Sequence, residues 1–221
     1  MDSPIRTSKP TLWHCHNSRS LRALWAMEEL DLDYDVVELP FPPRFLQKEF
    51  LGLNSLGTVP YFIDGDTHMT ESSGICHYLV ERYRRYDFGL KADHPEFGDY
   101  LNWLYHSDAT LTFPQTVVLR YTLLEPEERR LPQAAKDYGD WYIARLRRLN
   151  AHMKGREYLC DERFTMADIA IGYALLLGEL QGFSARYTSE VTGYLTRLKS
   201  RPAFIRAQAI GGENSNFKKL K

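Results

Sequence analysis

The polar run His16-Asn17-Ser18-Arg19-Ser20 separates two apolar segments and has the composition of an anion-binding loop. A serine placed just before a helix presents its hydroxyl and unpaired backbone amides to a negatively charged group. The same sequence would arise if Ser18 or Ser20 simply capped the helix. From this run alone, both interpretations stay open.

Two further pairs, Val59-Pro60 and Glu71-Ser72, suit the binding of a peptide-like ligand. Proline lacks an N–H donor, so Pro60 fits the first position of a strand. A cis bond would turn the Val59 backbone outward, whereas an ordinary trans proline would not. Ser72 is predicted to open a helix, where it either favours a bound carboxylate or acts only as a cap. Glu71 offers an acceptor for an ammonium group.

Histidines beside the polar run raise the question of a metal site. His14 and His16 would share one face of a strand. A metal ion needs three or four converging ligands, and the sequence has neither CxxC nor HExxH spacing. We therefore expect no metal.

Hydrophobic periodicity predicts the elements that must position these residues. The first part alternates short strands and helices in the order β-α-β-α-β-β-α, and Asp64-Gly65 indicates a hairpin. The βαβ start predicts a parallel pair with a right-handed crossover. The expected strands are 11–14, 34–39, 59–63 and 66–69, and the expected helices are 20–30, 45–50 and 71–83.

The second part of the chain is predicted to be entirely helical. We expect a first domain over 1–86, a linker over 87–93, an all-α domain over 94–210 and a flexible tail over 211–221. Residues 169–180 are apolar nearly all round, which indicates a buried helix. Thr165 and Asp168 have the spacing of a capping box at its start.

Bulk composition excludes several classes of protein. The 221 residues carry a formal net charge of -1, which gives no electrostatic footprint for nucleic acid. No apolar run approaches the roughly 20 residues that span a bilayer, and the N-terminus lacks an apolar signal region. The three cysteines are an odd number and suggest free thiols. We expect a cytoplasmic protein with neither a membrane nor a nucleic-acid partner.

Several segments together resemble the cytosolic glutathione transferase superfamily. NSRSLRALWAMEELDLDY, NSLGTVPYFIDGD and TESSGICHYLVERY are similar to its thioredoxin-like first domain, and FTMADIAIGYALLL is similar to the capping-box helix of its helical second domain. The resemblance covers about residues 10–205. It implies a transferase with glutathione as co-substrate, a small hydrophobic electrophile as second substrate, a detoxification role and a homodimer.

The resemblance also implies roles for the residues above. Val59, beside a cis Pro60, would pair through its backbone with the cysteinyl part of glutathione, and Glu71 and Ser72 would hold the γ-glutamyl end. Ser18 aligns with the sulfur-activating serine of the theta, delta and zeta-like classes. A neighbouring residue makes this contact in some bacterial-type classes, so Asn17 and Arg19 are alternatives.

Other positions depart from the family pattern or extend it. Thr58 stands where several classes carry lysine or glutamine, so Gln47 and Lys48 are the expected contacts of the glycyl carboxylate. The helix that borders the family's electrophile pocket corresponds to the segment with Tyr105, His106, Asp108 and Phe113.

Three functions remain compatible with this sequence. Glutathione thiolate would attack an electrophilic carbon in a transferase, and the same thiolate would serve a glutathione-dependent isomerase or a thiol–disulfide reductase. Thioredoxin-fold redox enzymes carry a nucleophilic cysteine near Cys15, although this residue more readily packs inward at the end of the strand. A non-catalytic association module is the third function.

Overall fold

The computed structural model describes residues 9–212, which form two compact units. The first unit contains the described chain up to Arg84 together with the chain from Pro202 onward, and the second runs from Arg85 to Arg201. The domain ranges expected from the sequence stay predictions, and 213–221, most of the predicted tail, lie outside the described residues. The contacts of the last helix group it with the first unit.

The first unit has a thioredoxin-like arrangement that confirms the predicted β-α-β-α-β-β-α order. Its four-stranded sheet has the order β2-β1-β3-β4. The strands are β1 (Thr11–His14), β2 (Asp35–Glu38), β3 (Tyr61–Asp64) and β4 (Thr67–Met69). The helices are α1 (Ser20–Glu29), α2 (Pro43–Leu46) and α3 (Ser72–Tyr83), with a 3-10 turn at Lys48–Gly52.

Strand register decides which loops meet. β1 pairs with β2 in parallel and with β3 antiparallel, with Trp13 opposite Tyr61. β3 pairs antiparallel with β4, with Phe62 opposite Met69. The end of β1, the start of β3 and the end of β4 therefore lie at the same end of the sheet. The segments that follow or precede them, 15–20, 58–60 and 70–72, meet there.

Helix α1 is buried on several sides. Leu24 and Met27 have no exposed surface, and neither do Ile75 and Leu79 on α3. On another side Trp25 packs edge-on against Phe204 of the last helix, with ring centroids 5.0 Å apart. Burial of one such aromatic side chain stabilises a fold by about 1.5–3 kcal/mol, which explains why the last helix packs here.

The second unit is all-helical within the described residues. Its helices are α4 (Phe97–His106), α5 (Phe113–Leu119), α6 (Pro132–His152), α7 (Met166–Leu180) and α8 (Ser189–Lys199), and the last helix of the chain, in the first unit, is α9 (Pro202–Ala209). π-helical stretches at Ser107–Thr112 and Arg120–Leu124 flank α5. Across 9–212, no helix combines the length and hydropathy that crossing a bilayer requires.

The predicted capping box begins α7. The Thr165 amide donates to the Asp168 carboxylate at 2.8 Å. The Leu159 amide and the Tyr194 hydroxyl donate to its other oxygen at 3.0 and 2.8 Å. Burial raises the pKa of Asp168 to about 6, while these donors oppose the rise. The carboxylate thus fixes three separate segments around the buried helix.

Candidate functional site

The β1–α1 loop carries the three residues proposed for sulfur activation. Ser18 is 6% exposed, and its amide donates to the Cys15 carbonyl at 3.1 Å. Its hydroxyl lies 2.7 Å from the Ser20 hydroxyl. Arg19, at the N-cap position of α1, is exposed and makes no side-chain capping bond. The Ser18 hydroxyl also accepts from the Ser20 amide at 3.3 Å, so this nearly buried hydroxyl is tied to the start of α1.

Asn17 is held by the last helix. Its φ of 61° lies in the left-handed region, which asparagine tolerates better than most residues. Its side-chain oxygen accepts a hydrogen bond from Gln208 Nε2 at 2.7 Å, and His16 Nδ1 lies 3.1 Å from the Ile210 carbonyl. Because 191 residues separate Asn17 from Gln208, no local signal in the sequence indicates this contact.

Val59 presents unpaired backbone at the start of β3. The Val59-Pro60 bond is cis, and Val59 is 7% exposed. Neither its N–H nor its C=O pairs with another described residue. Buried backbone groups are nearly always hydrogen bonded in proteins. An unpaired donor and acceptor on one residue at the start of the central strand β3 suit an extended, peptide-like ligand.

Ser72 opens α3 beside a buried arginine. Its hydroxyl accepts a hydrogen bond from Arg22 Nη1 at 3.0 Å, and no described residue accepts from its backbone amide. Arg22 has no exposed surface. The guanidinium adds positive charge to the helix N-terminus, where an anion is already favoured. Arg22 was not among the predicted site residues, although an arginine among the apolar residues of α1 was a usable signal.

Glu71 stands next to this amide and is exposed. Its side chain makes no capping bond, and its described partner is the Thr70 hydroxyl at 3.4 Å. Among the described residues, its carboxylate forms no ion pair. The pair therefore offers a free amide for a carboxylate and a free carboxylate for an ammonium group.

Gln47 and Lys48 lie on the segment between β2 and β3. Gln47 ends α2, and Lys48 begins the 3-10 turn. Both side chains are exposed, and neither bonds to another described residue. They are thus available to a ligand, although nothing in the first unit fixes their positions.

The four candidate pocket residues lie in the second unit and differ in their surroundings. Tyr105 and Phe113 are half exposed, at 50% and 52%, and Asp108 lies in the first π-helical stretch. His106 instead packs edge-on against Trp103, with ring centroids 5.4 Å apart. Burial lowers the pKa of His106, and Arg148 and Arg145 act in the same direction. The structure thus separates His106 from the exposed pair.

Cysteine chemistry is disfavoured at the β1–α1 loop. Cys15 is 1% exposed, and burial raises the pKa of its thiol to about 12. At neutral pH it therefore stays protonated and unreactive. Cys76 and Cys160 are also buried free thiols. Within residues 9–212, no group of three or more His, Cys, Asp or Glu side chains is arranged to hold a metal ion.

The first part of the chain matches a known protein family. Residues 8–81 match the N-terminal domain of glutathione S-transferases. Glutathione S-transferase 3 of Schizosaccharomyces pombe is 24% identical over 87% of this chain and 84% of its own. Tetrachloro-p-hydroquinone reductive dehalogenase of Sphingobium chlorophenolicum is 25% identical over 86% of this chain and 92% of its own.

Solved structures share the fold of the whole chain. A glutathione transferase from Methylococcus capsulatus superposes with a TM-score of 0.82 at 19% identity, over 92% of this chain and 99% of its own. Ure2p5 of Phanerochaete chrysosporium, cocrystallised with 1-(S-glutathionyl)-2,4-dinitrobenzene, superposes with a TM-score of 0.79 at 20% identity, over 95% and 97%. Residues 8–81 therefore match the N-terminal domain of glutathione S-transferases, and the chain shares the fold of glutathione transferases, as its sequence motifs predicted.

Proposed function

We propose that this protein is a glutathione transferase. It binds glutathione at the end of the sheet in its first unit, beside Val59, and activates it as the thiolate. The observation that carries the proposal is the unpaired N–H and C=O of buried Val59. These two groups match the donor and acceptor of a cysteinyl backbone. The S. pombe transferase and the glutathionyl adduct of Ure2p5 support glutathione as the ligand.

The two ends of glutathione fit the charges on either side of Val59. The Ser72 amide, with Arg22 behind its hydroxyl, donates to the γ-glutamyl carboxylate. Glu71 receives the γ-glutamyl ammonium. Gln47 and Lys48, exposed on the opposite side of Val59 in the chain, contact the glycyl carboxylate.

Ser18 activates the sulfur. A free thiol with a pKa near 8.5 is only about 3% thiolate at pH 7. A hydroxyl that donates to the anion contributes about 1.5–3 kcal/mol, equal to one to two units of pKa. The Asn17 side-chain oxygen accepts from Gln208, so only its NH2 group could donate to the sulfur, and Asn17 remains an alternative. Arg19 remains the alternative cation.

The second step forms a bond between sulfur and carbon. The thiolate attacks an electrophilic carbon, and the leaving group departs with its bonding electrons. Tyr105, Asp108, His106 and Phe113 are proposed to line the site of a small hydrophobic electrophile, with the exposed Tyr105 and Phe113 supplying apolar surface. Detoxification would be one use of this reaction.

Reduction is the second candidate function. The reductive dehalogenase among the relatives favours it, because that protein's name describes removal of a halogen from a hydroquinone. In that chemistry two glutathione molecules would end as the disulfide. An isomerase would instead regenerate glutathione, and an association module would leave it unchanged.

A homodimer is also proposed. Large apolar side chains stand exposed together on one segment of the first unit, and such patches mark association surfaces. The exposed residues are Phe45, Leu46, Leu51, Leu53 and Leu56.

A cytoplasmic location is the further expectation that follows from the three free thiols.

Product analysis tests the proposal. The protein is incubated with glutathione and 1-chloro-2,4-dinitrobenzene, and thiol loss, conjugate and glutathione disulfide are each measured. We expect equal amounts of lost thiol and conjugate. Disulfide in place of conjugate would favour reduction. A thiol concentration that stays unchanged with every electrophile of a panel would exclude transferase activity.

A further inference from the structure

Three side chains form a hydrogen-bonded chain from the interior to Ser18. The Ser18 and Ser20 hydroxyls lie 2.7 Å apart, and Ser20 Oγ lies 2.8 Å from His14 Nδ1. His14 and Ser20 have no exposed surface, whereas Ser18 retains 6%. The chain therefore leads outward, from a buried imidazole to the hydroxyl at the edge of the site.

The direction of this chain determines whether Ser18 can donate to a ligand. At 2.7 Å, one of the two serine hydroxyls must donate to the other. If Ser18 donates to Ser20, its only proton is used within the protein. If Ser20 donates to Ser18, the Ser18 proton is free for a bound anion.

The protonation of His14 fixes that direction. Burial lowers the pKa of His14 to about 4, nearby His16 acts in the same sense and the Ile210 carbonyl opposes them, so the ring is neutral at pH 7. His14 Nε2 is buried and has no partner within hydrogen-bond distance among the described residues. A buried N–H without a partner is rarer in proteins than an unused acceptor. A proton on Nδ1 has Ser20 Oγ as an acceptor at 2.8 Å, which favours the Nδ1 tautomer with an unused lone pair on Nε2.

Ser20 in turn determines the direction of the hydrogen bond to Ser18. Its oxygen accepts from His14 Nδ1–H and from the Cys15 amide at 3.2 Å, which fills both lone pairs. Its own proton has two neighbours, the Ser18 oxygen at 2.7 Å and the Cys15 carbonyl at 3.4 Å. The shorter contact takes the proton, which leaves the Ser18 proton free.

We infer that His14, acting through Ser20, is a positioning residue that directs the Ser18 hydroxyl proton toward the glutathione sulfur. This inference rests on the proposed function only for the identity of the ligand. The direction of the hydrogen bonds from His14 to Ser18 is a property of the ligand-free protein. The inference and the proposed function can therefore be tested separately.

Nitrogen NMR of the histidine-labelled, ligand-free protein at pH 7 shows which ring nitrogen of His14 carries the proton, and so tests the direction of these hydrogen bonds. The His14→Asn variant identifies the His14 signals by their disappearance. We expect a protonated Nδ1 and an unprotonated Nε2. A proton on Nε2 would overturn the inference whether or not glutathione binds.

A matched pair of variants tests the consequence. The amide group of His14→Asn can place an N–H near the position of Nδ1, whereas His14→Phe fills the space without a donor. We expect His14→Phe to raise the pKa of bound glutathione by about one unit, a tenfold fall in its acid dissociation constant, with little change in affinity. His14→Asn should restore most of the thiolate.

The outcomes separate the two proposals. Equal pKa values in all three folded proteins, or an equal rise in both variants, would overturn the role of His14. If wild type binds no glutathione, the proposed function fails, while the NMR result still decides the direction of the hydrogen bonds from His14 to Ser18. Should His14→Phe not fold, wild type and His14→Asn, read together with the NMR result, carry the test.

Discussion

Glu71→Gln should weaken glutathione binding without weakening the fold. The Glu71 carboxylate is exposed, caps nothing and forms no ion pair among the described residues. Its loss therefore removes no bond that holds α3. In the proposed complex it accepts from the ligand ammonium, a contact worth about 1.5–3 kcal/mol when charged and less where water screens it.

Exposure places the effect at the lower end of that range. We expect a loss of about 1–2 kcal/mol, which corresponds to a roughly 5- to 30-fold higher Kd. Isothermal titration calorimetry measures Kd, and a thermal melt measures stability. Glu81→Gln is the matched control, because it removes the same charge near the other end of α3.

This comparison has three distinguishable outcomes. A higher Kd for Glu71→Gln alone, with an unchanged melt of the ligand-free protein, supports the γ-glutamyl site. The reasoning is refuted if the Kd of Glu71→Gln matches that of wild type or of the Glu81→Gln control. A lower melting temperature with an unchanged Kd would return Glu71 to a purely structural role.

Three further predictions concern other parts of the chain. Cys15→Ala should retain conjugation, because burial keeps the pKa of this thiol near 12; loss of activity, measured by conjugate formation, would favour thiol–disulfide chemistry. Asp168→Ala should lower the free energy of unfolding by about 3–5 kcal/mol in urea titrations, since four buried donors lose their acceptor; a loss under 1 kcal/mol would contradict that role. Phe45→Ser should shift a dimer toward monomer in sedimentation, whereas Ile205→Ser, equally exposed on α9, should not; the same mass for both would place the interface elsewhere.

Local signals were sufficient for most of the fold. Alternating apolar residues predicted the strands within two residues, as β1 at Thr11–His14 shows. The Thr165 and Asp168 spacing predicted the start of α7, because a capping box is encoded within four residues. The helix expected over 45–50 is instead divided into α2 and a 3-10 turn, joined at Gln47.

Long-range contacts were beyond the sequence. Gln208 reaches Asn17 only because α9 packs on α1, and that packing depends on the pairing of Trp25 with Phe204. Arg22 reaches Ser72 across 50 residues.

His14 drew attention in the sequence only as a possible metal ligand. Its partner Ser20 is six residues away, and neither a helix nor a strand brings such residues together. A tight loop does so here. The candidate residues were therefore visible in the sequence, while the contacts that orient them were not.

Ultraviolet titration of glutathione bound to wild type and to Ser18→Ala tests the central claim most directly. Thiolate absorbance against pH gives the pKa of the bound sulfur in each protein. The wild-type value should lie below the free value of about 8.5, and Ser18→Ala should raise it by about one to two units with little change in affinity. The same bound pKa in both proteins would contradict activation by Ser18.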